Sequence, residues 1–263
     1  MAETKTEIDL NADVGEGFGL YAFGEDEALL AEISSANIAC GFHAGDPHLM
    51  RRTVERCLAL GVAIGAHPGL PDRMGFGRRE MRVAPEEAAD WVLYQIGALQ
   101  AIATAAGGAV RHVKLHGALY HMAAGDAALA EAVVRAVRAT DRRLLLYGPP
   151  NSRLQDEARR QGAVFVAEGF ADRAYASDGG LVPRGVPGAV VEQPERALAQ
   201  ALALARDGRA ESVDGKRIAL GVRTICLHGD TPQAAARGKL LAEGLRSAGV
   251  IVRPPHVESD DAT

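Results

Sequence analysis

Short apolar runs with β character alternate with longer helical runs along almost the whole chain, and this rhythm limits the fold more than any other feature. The strand candidates are 8–12, 36–40, 62–66, 110–115, 144–147, 164–167 and 224–227. Most read as apolar on both faces, as strands buried in a parallel sheet do. Segment 47–60 sets Met50, Val54, Cys57 and Leu58 on one helical face, with Asp46-Pro47 as a start signal and Gly61 as a stop. Segment 85–105 repeats the design, with Val92, Ile96, Leu99 and Ala103 as its inward stripe and Gly107-Gly108 at its end. Further helices are predicted over 127–139, 151–161, 194–205 and 232–248.

This alternation predicts an α/β fold with a parallel sheet. Seven strong strands and a weak last one at 250–252 fit either a closed barrel or an open doubly wound sheet, and pattern leaves both open. The stretch 211–220 reads as a β-hairpin insert around Asp214-Gly215. A single domain over 1–263 is expected, with its core at about 7–253 and a mobile acidic tail at 254–263.

The net charge of −5 gives no reason to expect nucleic acid or an anionic membrane as partner. No apolar run approaches the ~20 residues of a membrane span, and the opening residues do not have the organisation of a signal peptide. Cys40, Cys57 and Cys226 form no close pair, which suits a reducing compartment, so a cytoplasmic location is expected.

The chemistry gathers where strands end. His43, His67, His116 and His228 each stand at or just beyond the carboxyl end of a predicted strand, with glycine or proline close behind. In parallel α/β folds those ends share one face. The first strand adds Asn11, Asp13 and Glu16 to that face, the fourth adds Lys114, and the sixth adds Glu168, Asp172 and Arg173. Such a rim can bind a small charged molecule and move protons. Plainer readings fit other residues. Asp46 and Asp230 precede helices and read as N-caps, while His48, His112, His121 and His256 read as surface or core residues. The glycines of 15–19 read as a turn. The chain has no phosphate-binding Gly-Lys-Ser/Thr loop, no Gly-x-Ser-x-Gly elbow, no Cys-x-x-Cys pair and no His-Glu-x-x-His. A mixed metal site of Asp13, His43 and His67 is chemically allowed, though its spacing is not diagnostic.

The strings around these residues are long and ordered: Ile8-Asp-Leu-Asn-Ala-Asp-Val-Gly-Glu-Gly17, Ser35-Ala-Asn-Ile-Ala-Cys-Gly-Phe-His-Ala-Gly-Asp46, Gly65-Ala-His-Pro-Gly69, Gly75-Phe-Gly-Arg-Arg79, Val113-Lys-Leu-His-Gly-Ala-Leu-Tyr120, Glu168-Gly-Phe-Ala-Asp-Arg-Ala-Tyr175 and Thr224-Ile-Cys-Leu-His-Gly-Asp230. Together they resemble the LamB/YcsF family over nearly the whole chain. Small departures are Leu115 for a frequent proline, His121 for a usual asparagine, and Val222-Arg223 for a more typical Ala-Asp.

The resemblance implies a seven-stranded β/α barrel similar to those of polysaccharide deacetylases. It also implies the first of three components of a prokaryotic 5-oxoprolinase, which converts 5-oxoproline, ATP and water to glutamate, ADP and phosphate with partner subunits B and C. On that reading Asp13 or Glu16, assisted by His43 and His67, serves as base, and His116 or His228 as acid. Lys114 and Arg173 hold the substrate's anionic groups, with Asn11, Glu168 and Asp172 beside them, while Arg78 and Arg79 cover the site from a glycine-rich loop. ATP is consumed by the complex, a divalent metal is an allowed addition, and self-association is left open. Two other readings remain: a stand-alone metal-dependent amide hydrolase or deacetylase, and a non-catalytic component that holds or channels substrate.

Overall fold

Along β1 (Glu7–Val14) the side chains alternate in character. Ile8, Leu10, Ala12 and Val14 are buried with the apolar core, while Asp9, Asn11 and Asp13 turn to the other face and bond polar groups there. The computed structural model describes residues 6–22, 24–183, 185–227 and 233–256.

After β1 come α1 (Asp26–Leu30), β2 (Ser35–Ala39), α2 (Pro47–Leu60), β3 (Ala63–His67), α3 (Pro85–Ala105), β4 (Val110–Lys114), α4 (Gly117–Gly125) and α5 (Ala127–Thr140). The chain continues through β5 (Leu145–Gly148), α6 (Arg153–Gln161), β6 (Val164–Phe170) and α7 (Pro194–Asp207). It ends with β7 (Arg209–Glu211), β8 (Arg217–Ala219), β9 (Thr224–Leu227), α8 (Ala234–Ser247) and β10 (Ile251–Val252).

The parallel strands run in the order β1-β2-β3-β4-β5-β6-β9, and β9 pairs back onto β1, so the sheet closes into a seven-stranded barrel. Closure sets Asp9 beside Thr224 and Ala12 beside Leu227. The weak last strand is not a stave: among the described residues β10 pairs with the start of β1, at Glu7 and Ile8, below the point where β9 takes over. The insert forms as β7 and β8, antiparallel and joined through Asp214-Gly215, with Gly215 at φ +77°.

The strands are not apolar on both faces; their inner faces carry Asp9, Ser35, Tyr147 and Thr224 in one layer and Asn11, Asn37, His112 and Glu168 in the next. The outer faces join the helices in one continuous apolar core that includes Ile38, Ile64, Val113, Val92, Ile96 and Leu99. Two helices were not anticipated, α1 and α4, and both are short. Gly117, a helix breaker by type and here at φ +55°, opens α4 directly after His116 and hides its start.

Helix α2 begins as the sequence predicts: the Asp46 carboxylate accepts from His48 N and Leu49 N at 2.9 and 3.0 Å, Pro47 opens the helix, and Gly61 ends it at φ +71°. Among the described residues no helix is long and apolar enough to cross a membrane. His228, Asp230 and residues 257–263 of the expected tail lie outside the described residues.

Candidate functional site

The carboxyl ends of the strands open into a cavity of about 550 Å³. Asp13, His67, Lys114 and His116 reach it from the barrel, Arg78 from the loop after β3, Tyr120 and His121 from α4, and Phe170 and Arg173 from the end of β6.

Lys114 organises the floor. Its ammonium, on a buried side chain, lies 3.0 Å from Asp13 Oδ1, 2.9 Å from Glu168 Oε1, 3.2 Å from Asn11 Oδ1 and 2.9 Å from Cys226 Sγ. Burial alone would lower its pKa, but the carboxylates of Asp13 and Glu168 hold it well above the ordinary lysine value. Lys114 is therefore a fixed cation. Burial pushes the Cys226 thiol far up, against the pull of Lys114, so Cys226 stays protonated.

Asn37 completes this layer. Its amide nitrogen donates to Asn11 Oδ1 and Asp13 Oδ1, and its oxygen lies 2.8 Å from His112 Nε2, which donates to it. His112 is buried and stacks on Tyr147; burial first, then the charge of Lys114, lowers its pKa to about 3. Gly65 makes room for it, since a β-carbon there would stand 2.0 Å from His112 Nε2.

Above the floor three imidazoles pack against one another. His43 and His116 stack at 3.7 Å between centroids, and His67 meets both edge-on. His67 Nδ1 lies 2.8 Å from the Lys114 carbonyl oxygen and His116 Nε2 lies 2.8 Å from that of Phe76. Glu16 Oε1 is 3.3 Å from His43 Nε2 and 3.5 Å from His116 Nδ1, and Asp13 Oδ2 is 3.3 Å from His67 Nε2. Burial, reinforced by the neighbouring imidazoles, lowers His43 well below its ordinary value and His116 to about 3.

Two glycines admit this stack: a β-carbon at Gly69 would fall 2.6 Å from His43 Nδ1, and one at Gly77 would fall 2.8 Å from His43 Cβ. The His67-Pro68-Gly69 turn is clamped from α3, where buried Gln95 accepts from Gly69 N at 3.0 Å and donates to Gly69 O at 2.9 Å. The ligand atoms of Glu16, His43, His67 and His116 all lie within 4.8 Å of one another, a group that could hold a metal ion. It differs from the trio of Asp13, His43 and His67: Glu16, on the loop turned by Gly15 at φ +70°, takes the place Asp13 would have had, and Asp13 leans to Lys114.

The other sequence candidates divide. Asn11 and Glu168 lie in the barrel interior beneath the cavity, bonded to each other at 3.0 Å. Arg78 is exposed on the cavity wall, with its guanidinium over the Phe76 ring at 5.0 Å. Arg79 instead pairs with Asp72, which it holds at a pKa of about 2, and it is not among the cavity-lining residues. Arg173 lines the cavity while donating to the carbonyl oxygens of Val182 and Ala189. Asp172 is instead among the residues lining a separate recess with α7 and α8. Sequence reading missed Asn37, Gln95, Tyr120 and Cys226. Asn37 and Gln95 carried a signal, being polar residues inside otherwise apolar runs.

The LamB/YcsF family model matches residues 8–259. The chain belongs to the LamB/YcsF family. Within it, the chain is 54% identical over 252 residues to the A component of the 5-oxoprolinase of Methylococcus capsulatus, covering 96% of both chains. The crystal structure of a lactam utilization protein from Thermus thermophilus superposes with a TM-score of 0.90 at 45% identity, over 94% of this chain and 99% of that one. A peptidoglycan N-acetylglucosamine deacetylase catalytic domain from Eubacterium rectale shares the fold alone, with a TM-score of 0.52 and 9% identity over 98% of this chain and 92% of that one. The barrel that the family resemblance implied is therefore the one observed.

Proposed function

We propose that this chain is the A component of an ATP-dependent 5-oxoprolinase, the part whose barrel receives the lactam and directs water at it. The observation that carries this reading is the pairing of Lys114 with Asp13 at the floor of the cavity, 3.0 Å apart. It places a carboxylate, about one seventh exposed, beside a fixed cation in a space of small-molecule size. The names of relatives at this level of identity supply the substrate class.

A five-membered lactam is a poor electrophile because its nitrogen donates into the carbonyl. Transfer of the γ-phosphoryl group of ATP to the lactam oxygen removes that protection. One water then adds to the carbonyl carbon as the C–N bond breaks, giving an acyl phosphate and an amine, and a second water releases phosphate and leaves glutamate. Asp13 accepts a proton from the attacking water and returns it to the departing nitrogen. Arg78, on the exposed wall of the cavity, and Arg173 neutralise the substrate carboxylate and the phosphoryl group. The nucleotide is held by partner subunits B and C, in keeping with a sequence that has no phosphate-binding loop. The buried free thiols Cys40, Cys57 and Cys226 suit the cytoplasm.

The test is glutamate release from 5-oxoproline with and without ATP, using this chain alone and mixed with its candidate partners. Release only in the full mixture with ATP supports the proposal. Release by the isolated chain without ATP would assign a stand-alone hydrolase instead. In the mixture, Asp13→Asn is expected to abolish release and Arg78→Ala to raise the KM for 5-oxoproline about 10-fold or more.

A further inference from the structure

The hydrogen-bond arithmetic of His67 and His116 does not close with neutral rings. Both side chains are buried, at 1% and 3% exposure. His67 Nδ1 contacts the Lys114 carbonyl oxygen and His116 Nε2 contacts that of Phe76, each at 2.8 Å. A carbonyl oxygen only accepts, so each of these nitrogens carries the hydrogen. A neutral imidazole has one N–H, so the inner nitrogens, His67 Nε2 and His116 Nδ1, present lone pairs to each other across 3.0 Å. Three contacts need three hydrogens and two neutral rings supply two.

The surroundings sharpen the mismatch. Glu16 Oε1 lies 3.5 Å from the inner nitrogen of His116 and Asp13 Oδ2 lies 3.3 Å from that of His67, so two carboxylates face the same spot. His43 Nε2 closes the group, 3.3 Å from Glu16 Oε1. A single proton between the rings would mend one contact. A metal ion would engage three imidazoles and a carboxylate together.

Geometry favours the ion. A tetrahedral centre with ligands at about 2.0–2.1 Å separates neighbouring ligand atoms by about 3.3 Å. Three of the separations, 3.0 Å for His67–His116, 3.3 Å for His43–Glu16 and 3.5 Å for His116–Glu16, bracket that value, and the widest in the group is within 4.8 Å, so an ion would draw the remaining ligand atoms inward. The outer nitrogens of His67 and His116 rest on backbone carbonyls, the arrangement that orients metal-binding imidazoles. Three nitrogen donors with one carboxylate suit zinc, cobalt or nickel better than magnesium or calcium, which prefer all-oxygen shells.

We propose that Glu16, His43, His67 and His116 bind one divalent transition-metal ion at the mouth of the barrel. The site is defined by its donors and stands independently of the lactam assignment. The test uses the full chain stripped with a chelator and titrated with Zn(II) by calorimetry and with Co(II) by visible absorption. One equivalent of either ion should bind, with tetrahedral Co(II) bands and a metal-dependent rise in melting temperature. Glu16→Gln and His116→Gln should each weaken binding by at least about 100-fold and abolish the thermal shift. Circular dichroism checks that each variant folds, and Glu16→Gln and His43→Gln carry the test if His116→Gln does not. Absence of stoichiometric binding to the wild-type chain, or binding that folded variants leave unchanged, overturns the proposal.

Discussion

Lys114 Nζ lies 2.9 Å from Glu168 Oε1, a contact that crosses the inside of the barrel from β4 to β6. Both side chains are buried, so neither charge has water to fall back on. Breaking such a pair from one side leaves the other charge stranded, at a cost of about 3–5 kcal/mol. Lys114→Met is therefore expected to lose stability of that order in urea unfolding, and the double variant Lys114→Met/Glu168→Gln to regain part of it. Equal midpoints for Lys114→Met and wild type would count against the pair.

Acid should weaken the fold through His112. Burial lowers its pKa from 6.5 to about 3, so the folded chain resists a proton that the unfolded chain accepts. Its contribution is complete above pH 6.5 and is lost progressively as pH falls from there toward 3, by at most about 1.4 kcal/mol per pH unit. His43 and His116, also shifted downward, act in the same direction. Urea unfolding at about pH 7.5, 6 and 5 reads the slope, and His112→Gln should reduce it by about one proton's worth.

Gly65→Ala tests the packing of the inner wall. The added carbon would overlap the His112 ring, whose other face is occupied by Tyr147. Overpacking of this kind costs about 1–3 kcal/mol or more. A melting temperature equal to that of wild type would mean that His112 can move aside.

Gln95→Leu should act on the turn after β3 without touching the cavity. It leaves the buried amide and carbonyl of Gly69 unsatisfied, at about 1–3 kcal/mol for each such group. Faster hydrogen exchange at the Gly69 amide is the expected signature. Unchanged exchange would show that the turn holds without the clamp.

Much of this site could be read from the chain because parallel strands gather their carboxyl ends. That rule placed His43, His67 and His116 together, and in the structure His43 stacks on His116 with His67 edge-on to both. It could not say how the segment after β1 turns back, and so could not tell that Glu16 would stand 3.5 Å from His116 while Asp13 pairs with Lys114. It also passed over His112 and Asn37, which lie deep in the barrel rather than at strand ends. An interior polar layer is hard to see in sequence because each inward residue is flanked by apolar outward ones. The runs then look uniformly hydrophobic, as around Asn37 between Ala36 and Ile38. Helix α1 was missed because its five residues are too few for a periodic signal.

The barrel closes where β1 meets β9, pairing Asp9 with Thr224, and β10 then fills the lower part of the same seam. On the ribosome this has a consequence. The first strand leaves the exit tunnel with one edge unpaired, and its covering partner is made much later, Thr224 following Asp9 by 215 residues. Any part of the sheet that forms before then has its polar interior open and the edge of β1 unprotected, and cover for that edge comes only with β9.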